Sequence, residues 1–149
     1  MTAFQISDRA KAILSQVATE AARRDASLVE PEDVLRGILR EGTGVACHAL
    51  NQLGIQPATI ALPDPPRRTE PEGPLLDASP GLGVLPPDLL ATAETEAIAL
   101  GHRYIGTEHL LLALAGPRYP KAAAVLAAHG VTLHAARLKT AELLGRQLP

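Results

Sequence analysis

The residues best suited to hold a charged ligand lie in Gly106-Thr107-Glu108, where a loop gives way to an apolar run. Thr107 is spaced to cap a helix that begins at Glu108, its hydroxyl accepting from a free N–H of the first turn. Those N–H groups and the helix dipole together favour an anion. Glu108 adds a carboxylate of the kind that pairs with a guanidinium. A ligand carrying both features, as an arginine-phosphorylated side chain does, meets both halves of such a site. The same Glu also has a plain structural use, since a first-turn carboxylate stabilises its helix by ~0.3–1 kcal/mol through the dipole alone. Glu32 stands 76 positions earlier in a different setting. Pro31 replaces the capping Thr and supplies no N–H, while Glu30 and Asp33 add negative charge. That cluster is expected to repel a phosphate and to hold a plain cation at most.

The remaining reactive side chains converge on no reaction. His102, His109, His129 and His134 fit no compact ligand spacing, and His-Glu-x-x-His is absent from the sequence. Histidines at helix ends or packed beside Tyr104 are expected, with no metal and no cofactor. No Gly-x-Ser-x-Gly elbow is present. Cys47 sits in the apolar run Val45-Ala46-Cys47, as a buried, inert thiol would, and a single Cys forms no intrachain disulfide. Catalysis is not expected. Tyr104 and Leu28 read as core, whereas Tyr119 in Gly116-Pro117-Arg118-Tyr119-Pro120 reads as a loop residue available for contacts.

These residues are carried by helices arranged as a tandem duplication. A gap-free shift of 76 places Thr19-Glu20-Ala21 on Thr95-Glu96-Ala97, Leu14 on Leu90, Glu32 on Glu108, Leu35 on Leu111, Ala46 on Ala122, Leu50 on Leu126 and Gly54 on Gly130. In the first copy Ile6, Ala10, Ile13, Leu14, Val17 and Ala21 recur at helical spacing, with Ser7 or Asp8 as cap. A second helix carries Val34, Leu35, Ile38 and Leu39 and stops near Gly42. A third ends at Gly54, which takes a left-handed C-terminal conformation at no Cβ cost. The second copy predicts helices over about 88–100, 108–114 and 121–129, and a fourth over 133–144. Its counterpart in the first copy is cut short by Pro63. The expected architecture is all-α: repeat one at 4–62, a Pro-rich tether at 63–83 and repeat two at 84–145, the repeats related by a pseudo-twofold axis.

Composition agrees. The 149 residues hold three aromatics (Phe4, Tyr104 and Tyr119), and the apolar remainder is mainly Ala, Leu, Ile and Val, which favours close helix packing. A net charge of −2 with dispersed Lys and Arg lacks the basic footprint of a nucleic-acid binder. Neither a leader peptide nor a membrane-length apolar run is evident, so a soluble cytoplasmic chain is expected.

The segment from Leu100 to Leu114, Leu-Gly-His-Arg-Tyr-Ile-Gly-Thr-Glu-His-Leu-Leu-Leu-Ala-Leu, resembles the hallmark of the Clp N-terminal (Clp repeat) domain family. Ala122 to Gly130 resembles that family's third helix and its Gly stop. Ile6-Ser7-Asp8-Arg9-Ala10 is similar to the family's opening Phe-Thr-Glu-Arg-Ala, while Val29 to Leu35 departs from its Ile-Gly-Thr-Glu-His. Members carry two such repeats ahead of AAA+ ATPase modules, where the domain receives substrates and adaptors. No Gly-x4-Gly-Lys-Ser/Thr phosphate loop occurs in these 149 residues. The resemblance therefore implies a standalone, non-enzymatic protein- or peptide-binding module acting as adaptor or regulator. Its partners would be Clp ATPase or protease subunits, or their substrates and adaptors. Other roles it suggests are a decoy for cyclic-peptide toxins directed at Clp chaperones, or an accessory on the protease core. ClpC-type members use the Glu of each repeat for phosphoarginine, which carries that role to Glu108 and Glu32, with Gly106 and Thr107 beside them.

Overall fold

The computed structural model of the chain describes residues 5–23, 29–42, 44–60, 62, 85–86 and 88–144. The proposed tether at 63–83, Pro63 and Leu28 lie outside these. Repeat one supplies β1 (Gln5–Ile6), α1 (Asp8–Arg23), α2 (Pro31–Glu41), α3 (Val45–Gln52) and a 3-10 turn (Pro57–Thr59). Repeat two supplies α4 (Leu89–Ala99), β2 (Tyr104–Ile105), α5 (Thr107–Leu114), α6 (Pro120–Ala128) and α7 (Leu133–Leu143). The fold is all-α as expected. One departure is a two-residue parallel bridge pairing Gln5 with Tyr104 and Ile6 with Ile105, extended by Ser7 N–H donating to Ile105 O at 2.9 Å. Two-residue strands leave no periodicity in a sequence.

Each helix forms for a local reason. Along α1 the buried residues Ala10, Ile13, Leu14, Val17, Ala18 and Ala21 make one stripe. Of the two capping candidates Ser7 is used, its hydroxyl accepting from Ala10 N–H at 3.2 Å. Pro31 opens α2 where a missing N–H costs nothing. A Cβ on Gly37 would come within 2.7 Å of Val17 Cγ2, so this glycine sets how closely α2 approaches α1. The strongest sign of duplication is at the ends of α3 and α6. Gly54 and Gly130 have φ of 85° and 84°. Beyond each, Ile55 N–H donates to Leu50 O and Val131 N–H to Leu126 O, both at 2.9 Å, closing the two helices with the same motif.

The repeats interlock. α3 packs on α5 of the other repeat, α6 packs reciprocally on α2, and α2 and α5 meet each other. A near-twofold axis requires this exchange of partners. α5 becomes the central helix, buried from Thr107 to Leu114, which accounts for the run from Leu110 to Leu114 being apolar on every side. Cys47 is buried as expected, its thiol 3.3 Å from Ile38 O, and burial raises its pKa. Tyr119 corrects its reading as an available loop residue. It is buried at the start of α6, and burial pushes its phenol above the usual range.

The copies differ at their fourth helix. In repeat two α7 packs on α5 and α3, capped by Thr132 Oγ1 accepting from Ala135 N–H at 3.1 Å. Arg137 grips Glu96 on α4 through two bonds of 2.9 and 2.7 Å. The first-copy counterpart of Glu96 is Glu20, which instead binds Arg40 from α2 at 2.9 Å. There the 3-10 turn stands where α7 would begin.

Candidate functional site

The start of α5 is built around Gly106, His109 and Glu108. Gly106 is the N-cap residue, in an extended conformation, and the helix begins at Thr107, one residue earlier than the sequence suggests. The Gly106 N–H donates to His109 Nδ1 at 2.9 Å. His109 thus does at the third helical position what a Glu does in a capping box. Repeat one repeats the device with a different side chain, Glu30 N–H donating to Asp33 Oδ2 at 2.9 Å. Asp33 is in turn held by Arg36 at 2.9 Å.

Because His109 Nδ1 accepts, the neutral ring carries its proton on Nε2, 2.8 Å from His102 Nδ1. His102 then presents its own N–H on the far side of its ring. Burial, and secondarily the neighbouring His102, lower the His109 pKa to about 4, so the neutral form prevails at pH 7. Tyr104 completes the layer. Its ring stacks on His102 with centroids 5.6 Å apart and meets His109 edge-on at 5.1 Å. The expectation of histidines packed beside Tyr104 holds for these two. Tyr104 itself is half-buried, its ring in the layer and its hydroxyl engaged with Glu108.

Glu108 lies under this layer and is 2% exposed. Its Oε2 accepts from the Tyr104 hydroxyl at 2.7 Å. Burial and the Glu108 hydrogen bond hold the Tyr104 phenol well above its ordinary pKa. The carboxylate folds back over Gly106, where a Cβ would sit 2.6 Å from Oε1. Any larger residue at 106 would displace Glu108. Glu32, at the matching place in α2, is half-buried, so the two candidate carboxylates differ in access.

Thr107 corrects the sequence reading. It does not cap α5; its Oγ1 accepts from Ala46 N–H of α3 at 3.2 Å. The hydroxyl therefore caps a helix of the other repeat. Gly44 leaves room for it, since a Cβ there would lie 2.6 Å from Thr107 Oγ1. The pseudo-symmetric residue Pro31 has no hydroxyl to return the contact. Replacing Thr107 by Val should therefore cost about 1–3 kcal/mol in urea unfolding, because Ala46 N–H is left buried and unpaired. Thr107→Ser keeps the acceptor and should lose less. Equal losses would show that packing alone holds this side chain.

The geometry brings Gly106, Thr107 and Glu108 together with His102, Tyr104 and His109, and leaves Glu32 on α2 with Glu30 and Asp33. No group of three potential metal-ligating side chains forms among the described residues. The trans cap joins residues 61 apart in the chain, a pairing that no local pattern signals. A His in the capping-box position was open to recognition from Gly106-Thr107-Glu108-His109, but the usual signature asks for Glu or Gln.

The family model for the Clp repeat (R) N-terminal domain matches residues 5–62 and 87–149. The chain belongs to this family. Chaperone protein ClpB of Oceanobacillus iheyensis is 33% identical to it over 151 residues, covering 95% of this chain and 17% of that protein. The negative regulator of genetic competence ClpC/MecB of Bacillus subtilis is 34% identical over 146 residues, with the same shares. The chain thus spans about a sixth of the length of these curated relatives. Among solved structures, the Hsp104 N-terminal domain from Candida albicans superposes with a TM-score of 0.64 at 17% identity, covering 97% of this chain and 94% of that one. At that identity the likeness is one of fold. No helix among the described residues is long and apolar enough to cross a membrane.

Proposed function

We propose that this chain is a non-catalytic module that binds proteins or peptides for a Clp-type proteolysis system, as an adaptor or regulator. The observation that carries the reading is the interlocked pair of Clp repeats. Such a scaffold recognises and positions, with chemistry left to its partners. Its natural setting is the cytoplasm, where Clp ATPase or protease subunits, or their substrates and adaptors, are the partners.

The ligand class proposed for the start of α5 is the arginine-phosphorylated side chain, with Glu108 taking the guanidinium and Gly106 and Thr107 beside it. Access is gated, because the Tyr104 hydroxyl occupies Glu108 at 2.7 Å. A guanidinium must replace that hydroxyl, exchanging a neutral donor for a charged one. Glu32 is more open but lies between Glu30 and Asp33, so it holds a plain cation and repels the phosphate.

Titration of free phosphoarginine against wild type, Glu32→Ala, Glu108→Ala and Tyr104→Phe tests this. The expected result is at least a tenfold loss for Glu108→Ala, little change for Glu32→Ala, and tighter binding for Tyr104→Phe. Equal losses at Glu32 and Glu108 would overturn the asymmetry. Affinity capture that recovers no Clp ATPase, protease core, adaptor or degradation substrate would overturn the wider assignment.

A further inference from the structure

α7 buries its small residues and turns two of its leucines outward. Ala136, Thr140 and Ala141 are the buried ones, whereas Leu138 and Leu143 are 43% and 37% exposed. A helix kept in place by its apolar face does the reverse. Thr140 adds a second weakness. It is fully buried, and its Oγ1 has no hydrogen-bond partner among the described residues. Thr19 and Thr95, within α1 and α4, return their hydroxyls to the carbonyls of Ser15 and Ala91 at 2.9 and 3.1 Å. Thr140 does not, so its hydroxyl gives up water on docking and gains nothing in exchange.

What holds α7 lies at its edge. Arg137 clasps Glu96 of α4 at 2.9 and 2.7 Å, with its own side chain 44% exposed. The chain ahead of the helix is anchored separately. Val131 is buried and its N–H donates to Leu126 O at 2.9 Å, and the extended Thr132 joins it to α7. The cap from Thr132 Oγ1 to Ala135 N–H lies within the same segment. α7 can therefore leave α3 and α5 with its cap intact and without disturbing the Gly130 stop of α6. Because α7 packs on both α3 and α5, undocking uncovers surface on each.

We propose that α7 is a displaceable latch over the α3–α5 face, and that its release admits an amphipathic helix of a partner protein in its place. Arg137 is the clasp and Thr140 the built-in weakness. The occupant repeats the contacts of α7, with Arg at the place of 137 and small residues at those of 136 and 141. In place of Thr140 it carries a β-branched aliphatic side chain. It gains at the position where the latch loses, so the exchange favours the partner. This is helix-in-groove recognition with the groove closed at rest. It rests on the reading of the chain as a protein-binding module and places one partner surface on it, separate from the start of α5.

Native-state hydrogen exchange on the full chain tests the latch. α7 amides should exchange with less protection and a shallower urea dependence than α5 amides, and Thr140→Val should raise α7 protection about tenfold. Equal protection and slope in the two helices would mean that α7 opens only with the whole fold, which overturns the latch. The exchange is tested with an N-acetylated, fluorescent peptide of residues 131–144 carrying Thr140→Val, read by anisotropy against the full chain. It should bind at least about fivefold more tightly than the unaltered peptide. Arg137→Ala in the chain unclasps α7 and leaves Glu96 to the peptide's own Arg, so both peptides should bind more tightly; Thr140→Val in the chain should weaken both. Circular dichroism confirms that each variant is folded, and the isosteric Thr140→Val remains informative if Arg137→Ala unfolds. Affinities indifferent to both changes place the peptide elsewhere and overturn the inference. Concentration-dependent dimerisation of the Arg137→Ala chain also overturns it, since the occupant would then be the α7 of a second copy. Clp components captured equally by wild type and Thr140→Val would overturn the latch and leave the module reading standing.

Discussion

Between pH 6.5 and pH 4 the wild-type fold should lose on the order of 3 kcal/mol that a His109→Asn variant does not lose. The sign follows from proton counting. In the unfolded chain His109 titrates near its ordinary 6.5, whereas in the fold burial and His102 lower it to about 4. Between those values the unfolded state binds the proton and the folded state does not, so stability falls as the pH falls. Above pH 6.5 both states are neutral and the penalty vanishes; below 4 it is complete. The structural reason is the occupied Nδ1, which accepts from Gly106 N–H at 2.9 Å. A proton there would set two donors against each other and leave the first turn of α5 uncapped. Glu108 Oε2, 3.9 Å from Nδ1, provides partial compensation and would be drawn from Tyr104. Asn at 109 places an amide oxygen where Nδ1 stands and has nothing to protonate. It should cost about 1–2 kcal/mol at pH 7 through the lost His102 contact and the space left behind, with no extra loss toward pH 4. Urea unfolding of both proteins at pH 7, 5.5 and 4.5 gives the difference. Parallel loss in the two would mean that other groups carry the acid sensitivity.

Why His109 escaped a functional reading, while the fold did not, follows from where the information resides. The helical stripes of α1 and α2, the Gly54 and Gly130 stops and the duplication are local or strictly periodic, and each was legible from residue type and spacing. The all-α pair of repeats followed from them. The site depended on contacts between residues far apart. Thr107 has the side chain and spacing of an ordinary N-cap, and only Ala46, brought in by the interlocking of the repeats, shows which helix it caps. Tyr119 sits between Arg118 and Pro120 in a run that reads as a surface turn, yet it is buried at the head of α6. Glu108 looks like an exposed first-turn carboxylate, but α5 is buried over its whole length. The amphipathic pattern that would have revealed this is absent because every face of α5 has a neighbour. The asymmetry where the fourth helix begins, a 3-10 turn at Pro57–Thr59 in place of the first turn of α7, and the pairing of Glu20 with Arg40 both require the three-dimensional register.

That pairing sets the second expectation. Arg137→Ala should cost about 3 kcal/mol, whereas Arg40→Ala should cost less than about 1 kcal/mol, although both remove an Arg from corresponding carboxylates. The Glu96 side chain is 9% exposed and is bound twice by the Arg137 fork. Those hydrogen bonds raise the Arg137 pKa above its ordinary value. Removing the guanidinium strands a desolvated carboxylate against α4. Glu20 and Arg40 are 36% and 52% exposed, so water replaces the lost partner at little cost. The loss at Arg137 should also be local in its first stage, because α7 is a terminal element of the described fold. Hydrogen exchange should show α7 amides losing protection well before those of α5. A double variant, Arg137→Met with Glu96→Met, should recover much of the stability by removing the stranded charge along with its partner. If Arg137→Ala proved as mild as Arg40→Ala, the pair would not be what holds α7. The fourth helix would then be retained by its apolar contacts with α3 and α5 alone.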